Sequence, residues 1–219
     1  MKLEKITKTR RYEDACGTAH ALDLIGERWA LLVMRELMLG ARRFGDLRAG
    51  LPGISANVLT QRLEGLEAAG VLRRRRLPPP ASVQVYELTD WGREAEPIIK
   101  GLGAWAARSP VHDPSLPLSA VSLMLSFRTM FKPERAAGLC LTLAFRFGEE
   151  AFVVRVADGV LTSERGETDS ADVAVVAEPP QVAAAVYGFG DQPPGAIIHG
   201  EAGTFARFAA LFELPPKAG

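Results

Sequence analysis

Several residue types and segments are scarce in this sequence of 219 residues. Its two cysteines, Cys16 and Cys140, lie far apart and have no CxxC spacing. This excludes a disulfide-rich scaffold and indicates a reducing compartment. No apolar run approaches the roughly 18 residues of a transmembrane helix, and the N-terminal stretch lacks the apolar core of a signal peptide. We therefore expect a cytoplasmic protein without a membrane partner.

Residues and motifs that carry catalysis are equally scarce. The three histidines, His20, His112 and His199, are scattered along the chain, and none belongs to an HxxxH, HExxH or cysteine–histidine motif. There is also no GxSxG elbow and no phosphate-binding P-loop. The sequence therefore predicts no metal site, no cofactor and no enzymatic activity.

A net charge of zero conceals an uneven distribution of charge. Residues 1–110 contain 18 Lys and Arg against 13 Asp and Glu, whereas residues 111–219 contain 8 against 13. Nine of the ten phenylalanines lie beyond residue 120, and all three tryptophans lie before it. This asymmetry predicts two domains with different partners, of which the basic one is a candidate to bind a polyanion.

The boundary between the two domains is predicted in the proline-rich stretch "SPVHDPSLPLS". We expect a first domain over residues 1–109, a linker over 110–118 and a second domain over 119–219. Proline stiffens such a linker more than a glycine- and serine-rich composition would.

The first half has the spacing of helices followed by a hairpin. One apolar face runs through "AHALDLIGERWALLVMRELMLG", and a short helix follows in "RRFGDLRAGL". Ser55 stands at the N-cap position of a helix that stops at Gly70. The segments "VLRRRRL" and "VQVYELT" then form a β-hairpin, and "WGREAEPIIKGLGAWAAR" forms a closing helix. This order predicts a mostly α, winged helix-turn-helix fold.

The helix after Ser55 has a polar outer face that can contact DNA. Its leucines Leu59, Leu63 and Leu66 share the buried side, so hydrogen-bonding side chains face outward, where they can contact base edges in a major groove. Arginines lie where phosphates would flank that groove. An arginine run is also common on an ordinary solvated surface. The candidate DNA-binding residues are Arg42, Arg43, Ser55, Asn57, Thr60, Gln61, Arg62, Arg73, Arg74, Arg75 and Arg76.

Several linked motifs resemble the HxlR family of bacterial winged-helix transcription regulators. They are "LDLIGERW", "RRFGDL", "LPGIS", "LTQRLEGLEAAG" and "YELTDWG", within residues ~12–108. The resemblance implies a homodimer that binds double-stranded operator DNA through the candidates above. The N-terminal segment and the helix from Trp91 to Ala107 are candidates to pair across the two-fold axis. Ser82 stands where wings of the family often carry a basic residue, and it joins the candidates.

Cys16 is a candidate redox residue. Some HxlR-type regulators sense electrophiles or oxidants through a cysteine near the N-terminus, which implies the same role here. A neighbouring His20 and the basic segment "TKTRRY" could lower the pKa of this thiol. The alternative is that Cys16 packs as a small apolar side chain.

The second half alternates strands and helices as an α+β domain and resembles the sterol-carrier-like lipid-binding fold. The resemblance lies in a strand, a helix, a strand ending in "HGE" and a final helix. It implies an apolar cavity that would hold an apolar small-molecule effector. An ordinary packed core is the alternative for the same side chains. A lipid-binding protein in which the winged helix serves as a dimerisation or interaction module is the alternative function. The candidate pocket residues are Phe127, Phe131, Phe145, Phe147, Phe205 and Phe208.

Overall fold

The computed structural model describes residues 12–188, 196–201 and 203–219. The first predicted helix is divided into α1 (Gly17–Ile25) and α2 (Ala30–Leu37). The chain turns between them, where Trp29 has a φ of 80°. At Gly26 a Cβ atom would lie 2.4 Å from a main-chain carbonyl oxygen, so glycine permits this close approach. The expectation of one continuous apolar face was wrong because this turn separates its two halves.

The two central helices of the winged helix-turn-helix follow, namely α3 (Phe44–Ala49) and α4 (Ala56–Ala68). The Ser55 hydroxyl oxygen accepts a hydrogen bond from the backbone N–H of Val58 at 3.3 Å and so caps α4. Beyond α4 the chain reverses at Gly70, which has a φ of 72°. The inner side of α4 is buried as predicted, with its three leucines in the core: Leu59, Leu63 and Leu66.

The wing is an antiparallel pair of strands, β1 (Leu72–Arg76) and β2 (Gln84–Leu88). The backbone of Arg42 pairs with the opposite edge of β2. Its N–H donates to the Tyr86 carbonyl at 2.9 Å, and the Tyr86 N–H donates back at 2.8 Å. The segment before α3 is therefore fixed to the wing.

The predicted closing helix consists of α5 (Asp90–Arg93) and α6 (Glu96–Ala107). Most of the apolar stripe predicted along this segment is exposed. Ala95 is the exception and is buried. The exposed members are Trp91, Ile98, Leu102 and Trp105, of which Trp105 is the most exposed at 72%.

The second half is a mixed five-stranded sheet covered by helices. Its elements are α7 (Ala120–Met130), β3 (Leu141–Phe147), β4 (Glu150–Ala157), β5 (Val160–Arg165), β6 (Val173–Val176), α8 (Pro179–Tyr187), β7 (Ile197–Gly200) and α9 (Thr204–Ala209). The strand order is β5-β4-β3-β6-β7, in which β3 and β6 are parallel and every other neighbouring pair is antiparallel.

The two halves contact each other through α6 and α7 and through polar side chains. Arg128 of α7 donates to both carboxylate oxygens of Glu96 on α6 at 2.9 Å. Buried Glu36 of α2 accepts a hydrogen bond at 2.7 Å from the hydroxyl of Ser119, which also caps α7. The Pro-rich segment 110–118 connects the halves without regular secondary structure.

None of the helices within residues 12–188, 196–201 and 203–219 combines the length and the apolar character that a membrane crossing requires. Histidine, cysteine and carboxylate side chains do not gather there into a group that could hold a metal ion.

Candidate nucleic-acid interface

The outer face of α4 is a polar surface open to solvent. Asn57, Thr60 and Gln61 are exposed, as is Glu64 one turn further on. These side chains combine amide and hydroxyl groups that donate and accept hydrogen bonds, which is the chemistry needed to contact base edges. The buried leucine stripe on the opposite side fixes the orientation of this face.

The four arginines of β1 are all exposed, and three of them form ion pairs within the chain. Arg73 and Arg75 share the carboxylate of Glu87, at 2.7 Å and 3.0 Å. Arg74 contacts Glu67 of α4 at 2.5 Å. These pairs were not expected from the sequence, although Glu87 stands directly opposite Arg73 in the hairpin register. Register assignment in the hairpin could have revealed the first of them.

The fourth arginine has no carboxylate partner within the described part of the chain. Arg76 donates from Nε to the main-chain oxygen of Ser82 at 3.3 Å, which places it beside the tip of the wing. Ser82 itself is exposed and has a φ of 43°. The predicted wing-tip residue therefore lies next to a guanidinium that pairs with no carboxylate in the described part of the chain, and this guanidinium brings a positive charge to the tip.

These ion pairs lower the pKa values of the glutamates that take part in them. The side-chain hydrogen bond from Arg74 lowers the pKa of Glu67. Partial burial alone would raise the pKa of Glu87, but hydrogen bonds from Arg73 and Arg75 outweigh it and lower the pKa. Both carboxylates are therefore charged at neutral pH, and the arginine strand carries less net charge than its four guanidiniums suggest.

Arg43, Arg62 and Ser55, three further candidate DNA-binding residues, lie in different environments. Arg43 is exposed at the start of α3 and has no ion-pair partner within the described part of the chain. Arg62 is half-buried and reaches Glu27 at 3.2 Å, so it lies at the edge of the α4 face. Ser55 is exposed, but its hydroxyl is engaged in capping α4.

Arg42 lies away from the expected DNA face. Its side chain is buried and forms an ion pair with Glu150 of the second half, a carboxylate that also pairs with Arg165 at 2.7 Å. Burial lowers the pKa of Arg42, and the neighbouring Arg165 adds to this effect. The backbone of Arg42 is paired with β2, which turns its side chain inward. We therefore leave Arg42 out of the proposed DNA face.

The expected phenylalanine pocket is a filled core. Phe127, Phe145 and Phe208 are at most 1% exposed, and their ring centroids lie 5.3–6.0 Å apart. Phe205 packs against Phe208, and Phe131 packs against Phe212, whose ring centroid lies 5.0 Å from that of Phe127. Phe147 stacks on Phe145 at 5.9 Å. Rings at these separations occupy the space that a ligand would need. The prediction of a ligand pocket among these phenylalanines was therefore wrong.

Cys16 is exposed at the N-terminal end of α1. The backbone N–H of Ala19, then that of Thr18 and the Thr18 hydroxyl, lower the pKa of the Cys16 thiol because they stabilise the thiolate. The alternative of a small packed side chain does not fit this exposed position. Residues 7–11 of the basic segment "TKTRRY" lie outside the described residues.

Comparison with known proteins supports this arrangement of elements. A family model described as HxlR-like helix-turn-helix matches residues 24–113. The uncharacterized HTH-type transcriptional regulator YvaP of Bacillus subtilis is 37% identical over 86 residues, or 39% of this chain and 80% of that protein. The uncharacterized HTH-type transcriptional regulator sll1512 of Synechocystis sp. is 42% identical over 84 residues, or 38% of this chain and 62% of that protein.

A solved structure of the redox regulator HypR in its oxidized form is 32% identical, with a TM-score of 0.39, and covers 42% of this chain and 94% of that chain. The curated relatives are transcriptional regulators, a class of protein that is not enzymatic. With one of them matched over four fifths of its length at 37% identity, the chain belongs to the HxlR-like helix-turn-helix family.

Proposed function

We propose that this protein is a bacterial transcriptional regulator that binds operator DNA as a homodimer. In this proposal α4 enters the major groove and the wing lies along the adjacent sugar–phosphate backbone. The observation that carries it is the exposed polar face of Asn57, Thr60 and Gln61 beside an exposed strand of four arginines. Amide and hydroxyl groups would contact bases, while guanidiniums would contact phosphates.

The ion pairs of the wing are compatible with phosphate binding. The guanidiniums of Arg73, Arg74 and Arg75 remain about half exposed, and solvent-exposed pairs of this kind contribute only about 0–1 kcal/mol. A phosphate can replace a carboxylate partner at that small cost. In the absence of DNA, the ion pairs would hold the long arginine side chains close to α4, where the DNA would bind. Glu87 would also limit the binding of unrelated polyanions.

The homodimer would use the exposed apolar side of α6. Ile98, Leu102 and Trp105 recur at i, i+4 and i+7 and form one stripe on that helix. Apolar stripes open to solvent are typical of interaction surfaces. The α1 helix has no buried residue and presents Leu22 to solvent, which supplies a second apolar surface to the dimer. In a two-fold dimer, the two α4 helices would be spaced so that each enters the major groove of one half-site.

The domain boundaries stay as proposed, with a DNA-binding and dimerisation domain over residues 1–109, a linker over 110–118 and a second domain over 119–219. A helix and a mixed sheet in the second domain support its proposed sterol-carrier-like identity. In the cell we place such a regulator in the cytoplasm, beside the DNA.

The test is a titration of the full chain with labelled duplexes from upstream of its reading frame and with an unrelated duplex, at several salt concentrations. Replacement of Arg73–Arg76 by alanine should flatten the log–log salt dependence by about 0.9 for each phosphate that the variant no longer binds. Gln61→Ala should instead reduce the preference for the specific duplex. If neither duplex binds at low salt, the regulator proposal fails and the lipid-binding alternative, with the winged helix as an interaction module, takes its place.

We also propose that Cys16 controls this activity through its oxidation state. Its exposure and lowered pKa support reaction with electrophiles at neutral pH. Because Cys16 precedes α1, modification there would act on the proposed dimer surface. The check is DNA affinity before and after treatment with a quinone. The affinity of the natural chain should change, and that of Cys16→Ser should not.

A further inference from the structure

A cavity of about 790 Å³ lies between the two halves, away from the phenylalanine core. It is bounded by α6, the segment 111–118, α7 and α8. Small-molecule sites are typically ~300–1,000 Å³ and often lie at domain interfaces. Most of the wall is apolar, and it includes Ile99, Leu125 and Ala184. The size, place and lining of the cavity therefore fit an organic ligand with an apolar body.

One side of the cavity carries a line of hydroxyl groups on α7. Ser122, Ser126 and Thr129 recur at i, i+4 and i+7 of α7, so they share one face of it, and all three line the cavity. Ser126 is hydrogen-bonded to the hydroxyl of Tyr187, another lining residue. Burial raises the pKa of Tyr187, so its phenol stays protonated. The Thr129 hydroxyl donates to the Leu125 carbonyl at 2.6 Å, whereas the Ser126–Tyr187 pair keeps one hydroxyl proton that it can donate to a polar group of a ligand.

The charged groups of the wall favour an anionic head group. Lys100 of α6 is half-buried, lines the cavity and has no ion-pair partner among the residues described. Arg35 of α2 also lines it, with its guanidinium held by Glu36 at 2.9 Å. The one lining carboxylate, Asp113, already accepts hydrogen bonds from Ser115, at 2.9 Å from the main-chain N–H and 2.6 Å from the hydroxyl. Of the two lining cations Lys100 and Arg35, Lys100 is therefore the one whose charge no carboxylate pairs with among the residues described.

We propose that this cavity binds an amphipathic monocarboxylate, with its apolar body between α6, α7 and α8 and its carboxylate at Lys100. A charge-assisted hydrogen bond from a partly buried ammonium is strong enough to select a carboxylate over a neutral head group of the same length. The inference deepens the proposed function, because it names the effector class and moves the site from the phenylalanine core to the junction of the domains.

The position of the site connects it to DNA binding. Lys100 and Gly103 face the cavity from α6, while Leu102 and Trp105 of the same helix form the proposed dimer surface. Arg35 belongs to α2, inside the winged helix-turn-helix. An occupant would therefore contact both the dimerisation helix and the DNA-binding unit. A ligand changes DNA affinity only if it binds one arrangement of these elements more tightly than another. Such coupling commonly changes the affinity for the second ligand, here DNA, by about 5–150-fold.

The first arm of the test measures binding of decanoate to the full chain by calorimetry, with 1-decanol and decylammonium as neutral and cationic comparisons. Decanoate should saturate one site per chain and bind more tightly than either comparison. Lys100→Met should weaken decanoate about tenfold and leave decanol unchanged. The matched control is Lys132→Met, a half-buried lysine that does not line the cavity. Equal binding of decanoate to both variants would overturn the role of Lys100.

A second variant fills the cavity without depending on charge. A Cβ at Gly103 meets no atom within 4 Å, so Gly103→Leu should be accommodated and should occupy cavity space. It should abolish saturable binding of decanoate and decanol. Gly101→Leu, on the same helix and equally unobstructed but outside the lining, should leave both unchanged. Unaltered melting temperatures exclude unfolding. Unchanged binding in Gly103→Leu, or no saturable binding to the natural chain, would overturn the site.

The second arm measures DNA affinity with and without saturating decanoate. We expect a change of at least fivefold for the natural chain and none for Gly103→Leu. DNA binding that decanoate leaves unchanged, together with saturable binding of decanoate, overturns the coupling and keeps the site. Saturable binding of decanoate by a chain that binds no DNA overturns the proposed function alone.

Discussion

Glu87 is expected to restrain the arginine strand, and its replacement tests that idea directly. Its carboxylate pairs with Arg73 and Arg75 at 2.7 Å and 3.0 Å, so it neutralises part of the proposed phosphate-binding surface. Glu87→Gln keeps the shape of the side chain and removes its charge. Both guanidiniums would then meet phosphates without first leaving a carboxylate.

The size of the effect follows from the exposure of these pairs. Their arginine side chains are 63% and 46% exposed, so each pair is worth about 0–1 kcal/mol. Removing that competition predicts that DNA binding at low salt strengthens about three- to tenfold. Each additional phosphate that is bound should also steepen the log–log salt dependence by about 0.9.

Fluorescence anisotropy with a labelled duplex at four or more salt concentrations measures both quantities. Glu94→Gln is the matched control, because this exposed glutamate lacks an ion-pair partner within the described ranges, and it should bind as the natural chain does. If Glu87→Gln folds normally and shows the same affinity and salt dependence, the arginine strand does not contact phosphate as proposed.

Three further predictions concern the domain contact, the dimer and the thiol. Glu150→Ala should lower the free energy of unfolding by about 1–3 kcal/mol, because it leaves the buried Arg42 guanidinium without its partner. The control is Glu149→Ala, at an exposed neighbour, which should change that free energy by less than about 0.5 kcal/mol. Urea titration measures both. Trp105→Glu should convert a dimer into a monomer in light scattering without lowering the melting temperature, because this side chain is exposed in the single chain; a dimer that persists would contradict the assignment. Cys16 should react with iodoacetamide at pH 7 faster than Cys140, as measured by mass spectrometry of the two peptides, since its lowered pKa leaves more thiolate; equal rates would remove the basis for thiol control.

The DNA-binding unit could be predicted from sequence because its signals are local. An N-cap at Ser55, three leucines at helical spacing and a stop at Gly70 define α4 within sixteen residues. The hairpin follows from alternation in "VQVYELT" and the turn before it. Each signal depends on neighbours in the chain, so no long-range contact had to be known.

The remaining features depend on contacts between distant residues. Arg42 is withdrawn from the DNA face by Glu150, which lies more than one hundred residues later. The phenylalanines of the second domain predicted an apolar interior, but not whether it was filled. The cavity between the halves brings together α6, α7 and α8, so its lining forms only when the two halves of the chain pack together. One local signal could have indicated it, namely the hydroxyl stripe of Ser122, Ser126 and Thr129 on α7.

The most direct measurement is a footprint of the full chain on the DNA upstream of its own reading frame. We expect two protected half-sites about 10 base pairs apart, centre to centre, on one side of the duplex. Gln61→Ala and Asn57→Ala should lose this protection while both still bind unrelated DNA. Protection that is identical in these variants and in the natural chain would contradict the assignment of α4 as the element that contacts bases.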